Sequence, residues 1–295
     1  MGFAKHGAEE DADIEQTSFA LLAFLGAGHT EKRGDYKLNV QRATGWLKDR
    51  IREDGAIVRA GQKEPDGLVH TLAGLALAEA AGMANMPGTK KAAQKAVEYT
   101  AGRLQRFEGE QRGGFGRAPN AEQCDLLTTT LAVMHIKSAK VAGLHVAPGA
   151  FDGSIRFLDQ MENRELGYSL APGLPPSARA TIMGCFCRQF LGWRKEDLQA
   201  HAARAVRVGG RAAMVPSDDL CKWFAALMLF QQGGDLWKSY NESLLQEVAA
   251  RRVQEGENAG SVDPRGPLAK GGRVLSTALV TLAVEVYYRY VQLHE

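Results

Sequence analysis

The sequence lacks the long apolar runs of a membrane-embedded protein and the excess of positive charge of a nucleic-acid-binding protein. The C-terminal apolar run from Val274 to Val284 meets Glu285 and is well short of the roughly 20 residues of a spanning helix. The chain has 36 Lys and Arg against 34 Asp and Glu, and neither sign forms long blocks. The near-neutral balance therefore gives no electrostatic reason to expect nucleic acid as a partner. We expect no membrane span in these 295 residues and no nucleic-acid role.

The sequence also contains few cysteines. The 4 cysteines are too few and too irregularly spaced for a disulfide framework or a paired zinc knuckle. We interpret them as buried thiols of a protein from a reducing compartment. The first 13 residues lack a signal-peptide core and predict a flexible tail. A soluble, cytoplasmic protein is favoured, and a periplasmic location stays open if an upstream signal or anchor has been removed.

Strand-like alternation is nearly absent, whereas helical periodicity is present throughout the chain. Two kinds of helix are predicted. The first kind is apolar and rich in small residues: Ile14 to Gly26, Leu68 to Gly82, Cys124 to Gly143, Ala178 to Trp193, Asp219 to Gln232 and Val274 to Tyr290. The second kind has one polar face: Tyr36 to Arg52, Thr89 to Phe107, Ala150 to Glu162, Asp197 to Val208 and Leu236 to Gln254.

The two kinds of helix alternate along the chain. The apolar helices begin near residues 14, 68, 124, 178, 219 and 274, which indicates an internal repeat of helical hairpins. Apolar helices beside amphipathic ones fit two concentric layers, with the apolar set inside. The sequence therefore predicts an all-α fold, an α/α toroid in which residues 14–295 form one domain and the last outer helix is missing.

Five stretches resemble the bacterial terpene cyclase/mutase-like proteins, which carry prenyltransferase and squalene oxidase repeats. The stretches are FALLAFLGAGHT, KSAKVAGLHVAPGAF, CRQFLGWRKED, FQQGGDLWKSYN, and GSVDP together with GGRVLSTALVTLAVEVYYRY. The resemblance implies the same toroid, the fold of class II triterpene cyclases, protein prenyltransferase β subunits and complement-type thioester domains. Fold does not determine function, so each chemistry of these proteins has to be sought in the residues.

The acid motif of the triterpene cyclases is Asp-x-Asp-Asp, and the nearest string here is Val215-Pro216-Ser217-Asp218-Asp219. Pro216 stands in the position of the first acid. Asp218 and Asp219 are the only weak candidates for a catalytic role, and both also suit the start of a helix, where carboxylates cap and stabilise the N-terminus. An aromatic content of 7% provides little to line a chamber for carbocations.

The prenyltransferases hold zinc with Asp, Cys and His to make a thiolate nucleophile. His70, Cys124 and Asp125 lie near the starts of two apolar helices and could meet at one mouth of the toroid, although a polar rim is the better interpretation of these residues. The Gly-Cys-Gly-Glu-Gln string of the thioester domains is absent. We therefore predict no metal and no cofactor.

Cationic side chains define a third candidate site. Arg179, Lys222 and Arg273 lie near the starts of apolar helices, where exposed N-terminal amides favour anions. They could bind an anion or a peptide at the mouth.

Two functions follow from these motifs. The first is a non-catalytic toroid that binds a protein partner or acts as a scaffold. The alternative is an enzyme or binder of an isoprenoid or other lipid, with a central cavity and with Asp218 and Asp219 at its polar end.

Overall fold

The computed structural model describes residues 12–106, 108–109, 111–119, 121–192, 218–266 and 268–289, and the side chains up to residue 287. The predicted outer helix Asp197 to Val208, residues 1–11 of the predicted tail and the predicted end of the last helix at Tyr290 lie outside these residues. The boundaries of the predicted domain, 14–295, stay a prediction.

Ten helices of ten or more residues lie within the described residues, and they form two sets. The inner set is α1 (Asp13–Gly26), α3 (Gly67–Ala84), α5 (Leu126–Val141), α7 (Ala178–Phe190), α8 (Asp219–Gln232) and α10 (Gly272–Val284). The outer set is α2 (Lys37–Lys48), α4 (Pro87–Tyr99), α6 (Asp152–Met161) and α9 (Gly234–Arg251).

Shorter elements complete the chain. A π-helical turn, Thr100–Leu104, follows α4, and a 3-10 turn, Ala269–Gly271, precedes α10. Strands β1 (Glu162–Asn163) and β2 (Gly167–Tyr168) form a small antiparallel hairpin after α6, and helix α11 (Val286–Arg289) follows α10. Apart from this hairpin, the regular secondary structure of the described residues is helical, as predicted.

Four of the six inner helices begin at an N-terminus that a side chain caps. Asp66, Asp125, Ser177 and Asp218 precede α3, α5, α7 and α8, and each side-chain oxygen accepts a hydrogen bond from a backbone N–H of the first turn. Such caps satisfy amides that have no partner within the helix. The apolar residues that follow are buried on nearly all sides, which is why these helices lack the one-sided polarity of the outer set.

The inner helices form a closed ring. Each packs against the next in the order α1, α3, α5, α7, α8 and α10, and α10 packs against α1. At this last contact the Gln16 side-chain amide donates a buried hydrogen bond of 2.8 Å to the carbonyl of Gly271. The predicted all-α toroid is confirmed.

Aromatic side chains fill the middle of the ring. Phe19 of α1 and Trp223 of α8 meet edge to face with ring centroids 5.8 Å apart, although α10 lies between these helices in the ring. Trp223 also stacks on Phe224, which contacts Phe186 of α7. These side chains are almost completely buried. At this level the toroid is therefore packed rather than hollow.

The outer layer is open beside α10. The described outer helices accompany α1, α3, α5 and α8, whereas no outer helix accompanies α10 within the described residues. A cavity lies there, bounded by α1, the start of α2, α10 and residues 257–261. We call this cavity the slot.

The second inner helix, α3, has the length and the apolar composition of a membrane-spanning helix. Within the described residues it alone is long and apolar enough to cross a membrane. It lies in the ring between α1 and α5, and 78% of its residues are buried inside the protein. Packing within the ring accounts for its apolarity.

Close packing of α3 on α5 requires a glycine at position 74. A Cβ there would overlap the His135 imidazole of α5. We expect Gly74→Ala to lower the free energy of unfolding by about 2 kcal/mol, as overpacking of a core does. Denaturant unfolding followed by circular dichroism measures the change.

Gly45 provides the matched control, because it lies within α2 and nothing would contact a Cβ there. Gly45→Ala should raise stability by about 0.5 to 1 kcal/mol, the usual gain in a helix interior. Equal effects of the two substitutions would show that α3 and α5 are not closely packed at Gly74.

Candidate functional site

Carboxylate–arginine pairs surround the mouth of the ring at which the inner helices begin. Asp, Glu and Arg from the helix starts, from the loops before them and, for Arg251, from the end of outer helix α9 form these ion pairs. The pairs are Glu15–Arg59, Asp66–Arg117, Asp125–Arg117, Asp218–Arg179, Asp219–Arg251 and Asp263–Arg273. They differ in exposure: Asp219 and Arg251 are 2% and 4% exposed and define a buried group with their neighbours, whereas Asp66 and Arg117 are 34% and 52% exposed.

The accessible group lies at the starts of α1, α3 and α5. It consists of Glu15, Arg59, Asp66, Arg117 and Asp125, which we call the mouth cluster. Arg117 bridges two carboxylates, with Nη1 3.2 Å from Asp66 Oδ1 and Nε 3.6 Å from Asp125 Oδ2. Its side chain is 52% exposed and that of Asp66 is 34% exposed. A polar ligand can therefore reach this group from solvent.

Glu15 differs from the other acids of the mouth cluster. Burial raises the pKa of its carboxyl group, the Arg59 guanidinium opposes this shift, and the negative charge of Asp66 adds to it. Arg59 pairs with Oε1, whereas Oε2 is buried without a hydrogen-bond partner. Glu15 is therefore suited to hold a proton and to donate it.

Asp66, in contrast, is held by hydrogen bonds. Its Oδ1 accepts hydrogen bonds from the Leu68 N–H at 2.9 Å and from Arg117 at 3.2 Å. Glu15, whose pKa is raised, and Asp66 thus lie in one electrostatic field, an arrangement of two carboxyl groups that acid–base chemistry can use.

The predicted candidates Asp218 and Asp219 belong to the buried group instead. Asp218 accepts a hydrogen bond from the Leu220 N–H at 3.0 Å and pairs with Arg179 at 2.9 Å. Asp219 is 2% exposed and binds both terminal nitrogens of Arg251, at 2.6 and 2.9 Å. Both carboxylates are thus committed to contacts within the protein.

Lys222 extends this buried network to the outer layer. Its ammonium lies 3.1 Å from Asp219 and 2.7 Å from Glu247 of α9, and the side chain is 1% exposed. Arg251, also on α9, donates in addition to the carbonyl of Asp263. The network therefore joins α8, α9 and the loop before α10.

The three candidate zinc ligands do not assemble. His70 is fully buried: its Nδ1 accepts from the Ile57 N–H at 3.0 Å, and its Nε2 lies 3.0 Å from Thr100. Cys124 is buried, and burial raises the pKa of its thiol to about 11, which disfavours a thiolate. Asp125 caps α5. Among the described residues, no group of three or more His, Cys, Asp or Glu is placed to hold a metal.

The three candidate anion-binding cations are also paired. Arg179 and Lys222 contact the carboxylates described above, and Arg273 contacts Asp263 and lies 3.2 Å from the Ser261 hydroxyl. Lys222 lies in the interior and cannot face an incoming anion. The predicted anion or peptide site would therefore require these ion pairs to open.

Of the predicted site residues, only Asp125 belongs to the mouth cluster. The sequence analysis did not select Glu15, Arg59, Asp66 or Arg117. One signal was available, since Asp66 precedes an apolar helix just as Asp125 and Asp218 do. The approach of Arg59 to Glu15, 44 positions away, has no local signal.

The fold is similar to that of solved glycan-active proteins. A family 76 glycoside hydrolase from a bovine Bacteroides thetaiotaomicron strain matches with TM-score 0.66 and 10% identity over 97% of this chain and 71% of that chain. An alpha-amylase from Clostridium perfringens matches with TM-score 0.61 and 11% identity over 93% and 85% of the two chains.

A third similar structure is an alpha-1,6-mannanase, GH76A of Salegentibacter sp. HEL1_6, as an inactive variant with two adjacent aspartates replaced, in complex with alpha-1,6-mannotriose. It matches with TM-score 0.62 and 10% identity over 92% of this chain and 89% of that chain. No protein-family model matches the chain, and no curated protein matches it. At these identities the similarity shows the fold alone.

These findings correct two predictions. The resemblance to the terpene cyclase/mutase-like family was wrong, because the similar structures named above are glycoside hydrolases and an alpha-amylase. The prediction of a non-catalytic scaffold, with an isoprenoid-binding cavity as its alternative, was also wrong. The similar structures are enzymes, aromatic side chains occupy the middle of the ring, and Asp218 and Asp219 form buried ion pairs.

The buried His70 makes stability depend on pH. Burial lowers the pKa of His70 to about 4 from an ordinary value of 6.5, so the unfolded chain takes up a proton that the folded chain refuses. Stability should therefore fall as pH decreases from about 6.5 towards 4, by about 2 kcal/mol at pH 5 for this residue. His70→Gln should lose that part of the dependence, measured by urea unfolding at pH 7 and pH 5.

His145 is exposed, and His145→Gln is the matched control. It should retain the full pH dependence of the unmodified protein. If His70→Gln retains it as well, His70 is not the residue that takes up the proton on unfolding.

Proposed function

We propose that this chain is a glycan-processing enzyme, a glycoside hydrolase that cleaves its substrate at the mouth cluster. The observation that carries the proposal is the pairing of Glu15, whose pKa is raised, with the nearby acceptor Asp66. Hydrolysis of a glycosidic bond requires two carboxyl groups of this kind, one to donate a proton and the other to act as base or nucleophile. The similar toroids that bind or cleave sugars support the same class of substrate.

The chemistry assigns one role to each acid. Glu15 transfers its proton to the glycosidic oxygen as the bond between that oxygen and the anomeric carbon breaks. A water molecule forms the new bond to the anomeric carbon, and Asp66 accepts the proton that this water loses. The resulting Glu15 carboxylate lies beside Arg59, which stabilises its negative charge.

The arginines supply recognition. Arg117 is held by two carboxylates, and its exposed guanidinium keeps donors that can reach sugar hydroxyls. We propose an oligosaccharide or polysaccharide with α-linkages as the substrate, since alpha-1,6-mannotriose occupies one of the similar structures and another is an alpha-amylase.

Conservative substitutions test this assignment. Glu15→Gln removes the donated proton, and Asp66→Asn removes the base while it keeps a side chain that can cap α3. We expect each variant to hydrolyse glycan at least about 100-fold more slowly than the unmodified chain, the usual contribution of a positioned acid or base. Ion chromatography of products from α-1,6-mannotetraose and maltotetraose measures the rate.

Asp235→Asn is the matched control, because Asp235 is fully exposed on α9 and pairs only loosely with Lys238. It should leave the rate unchanged. The rate of the unmodified chain should decline as pH rises through the raised pKa of Glu15, since the acid must be protonated to act. Unchanged hydrolysis in both mouth variants, or no cleavage of either glycan by the unmodified chain, would contradict the proposal.

A further inference from the structure

The slot beside α10 combines an apolar interior with one unpaired buried acid. Its volume is about 600 Å³, within the usual range for small-molecule sites. Small and apolar side chains form most of its wall, among them Ala20 and Ala23 of α1 and Val274 and Ala278 of α10. Water is a poor occupant of such walls, and an apolar ligand is favoured.

Glu285 is the polar group on which the inference depends. It lines the slot at the C-terminal end of α10 and is 8% exposed. Its Oε2 is buried without a hydrogen-bond partner, and among the described residues no Lys, Arg or His forms an ion pair with its carboxyl group. A buried carboxylate normally requires such a partner. Within the part of the chain that the structure describes, the slot therefore lacks a cation at this position.

The dimensions of the slot favour a slender occupant. Arg273 and Glu285, near the two ends of α10, both line it, so it extends over roughly 18 Å of helix. An extended alkyl chain is narrow enough to fit.

We propose that the slot binds an elongated apolar amine, with its alkyl chain along the small residues of α1 and α10 and its ammonium group on Glu285. The ammonium would donate hydrogen bonds to the carboxylate and neutralise it. The aromatic side chains Phe24 and Tyr36, whose ring centroids lie 5.1 Å apart, form part of the wall and offer additional apolar contact. This site is separate from the mouth cluster and does not depend on the proposed glycan chemistry.

Binding should release a proton. In the free protein, burial raises the pKa of Glu285 to about 8, so the group is largely protonated at pH 7. An ammonium favours the charged form, and its binding should expel that proton. Four other ionisable or charged side chains line the slot: His29, Tyr36, Glu257 and Arg273. His29 is an alternative source of the released proton. His29→Gln is therefore the control, and proton release should persist in that variant.

Alkyl probes of one length provide the main test. Calorimetric titration at pH 8.5 should show octylamine binding at least tenfold more tightly than octan-1-ol. Glu285→Gln should abolish this difference while octan-1-ol binding is retained. Ala20→Phe, which fills the slot, should weaken both ligands, whereas the exposed Glu242→Gln on α9 should change neither.

Several results would overturn the proposal. Failure of the unmodified protein to bind octylamine, an amine advantage that survives Glu285→Gln, or full binding by Ala20→Phe would each do so. A measurement on the unmodified chain avoids any misfolding of the variants. Titration of octylamine at pH 7 in two buffers of different ionisation enthalpy should reveal about one proton released per ligand, and no release would exclude Glu285 as the ammonium partner.

Discussion

The contact between the first and the last inner helix holds the toroid together as a ring. α1 and α10 are separated by nearly the whole chain, and the buried hydrogen bond from Gln16 to the Gly271 carbonyl lies at their meeting point. Closure gives each inner helix a neighbour on both sides, which is why these helices can be apolar on nearly all faces. It also brings the helix starts together at one mouth, where the ion pairs form.

Burial divides the charges of that mouth into two groups with different consequences. The pairs around Asp219 are removed from water, so they stabilise the attachment of α9 only while all partners are present. The mouth cluster keeps contact with solvent and can exchange its partners for a ligand. Glu15 lies between these extremes: its side chain is 15% exposed, burial raises its pKa, and Arg59 opposes that shift.

The overall architecture could be predicted from the sequence because helix periodicity and the repeat of apolar segments are local properties. The caps Asp66 and Asp125 follow the same local logic. The mouth cluster could not be predicted, since it depends on ring closure and on the approach of Arg59 to Glu15. His70 and Cys124 were placed near a mouth because of their position at helix starts, yet both side chains turn into the protein. Sequence similarity in short helical stretches also led to the wrong family, because small apolar residues recur in many tightly packed helices.

Only part of the slot could be predicted from the sequence. A missing sixth outer helix could be expected from the alternation of the two helix types, but its chemical character could not. The sequence shows Glu285 only as the polar end of an apolar helix. The packing of α1 against α10 makes it a buried carboxyl group with no charged partner among the described residues.

The pairing of Gln16 with Gly271 also determines when the fold can be completed during synthesis. Five of the six inner helices can emerge from the ribosome and pack in sequence, as they would in an open solenoid. The apolar flank of α1 then stays uncovered until α10 has been made, some 250 residues later. The nascent chain therefore exposes an aggregation-prone edge for most of its synthesis, so chaperones that bind apolar segments are expected to engage α1 first and to leave it last.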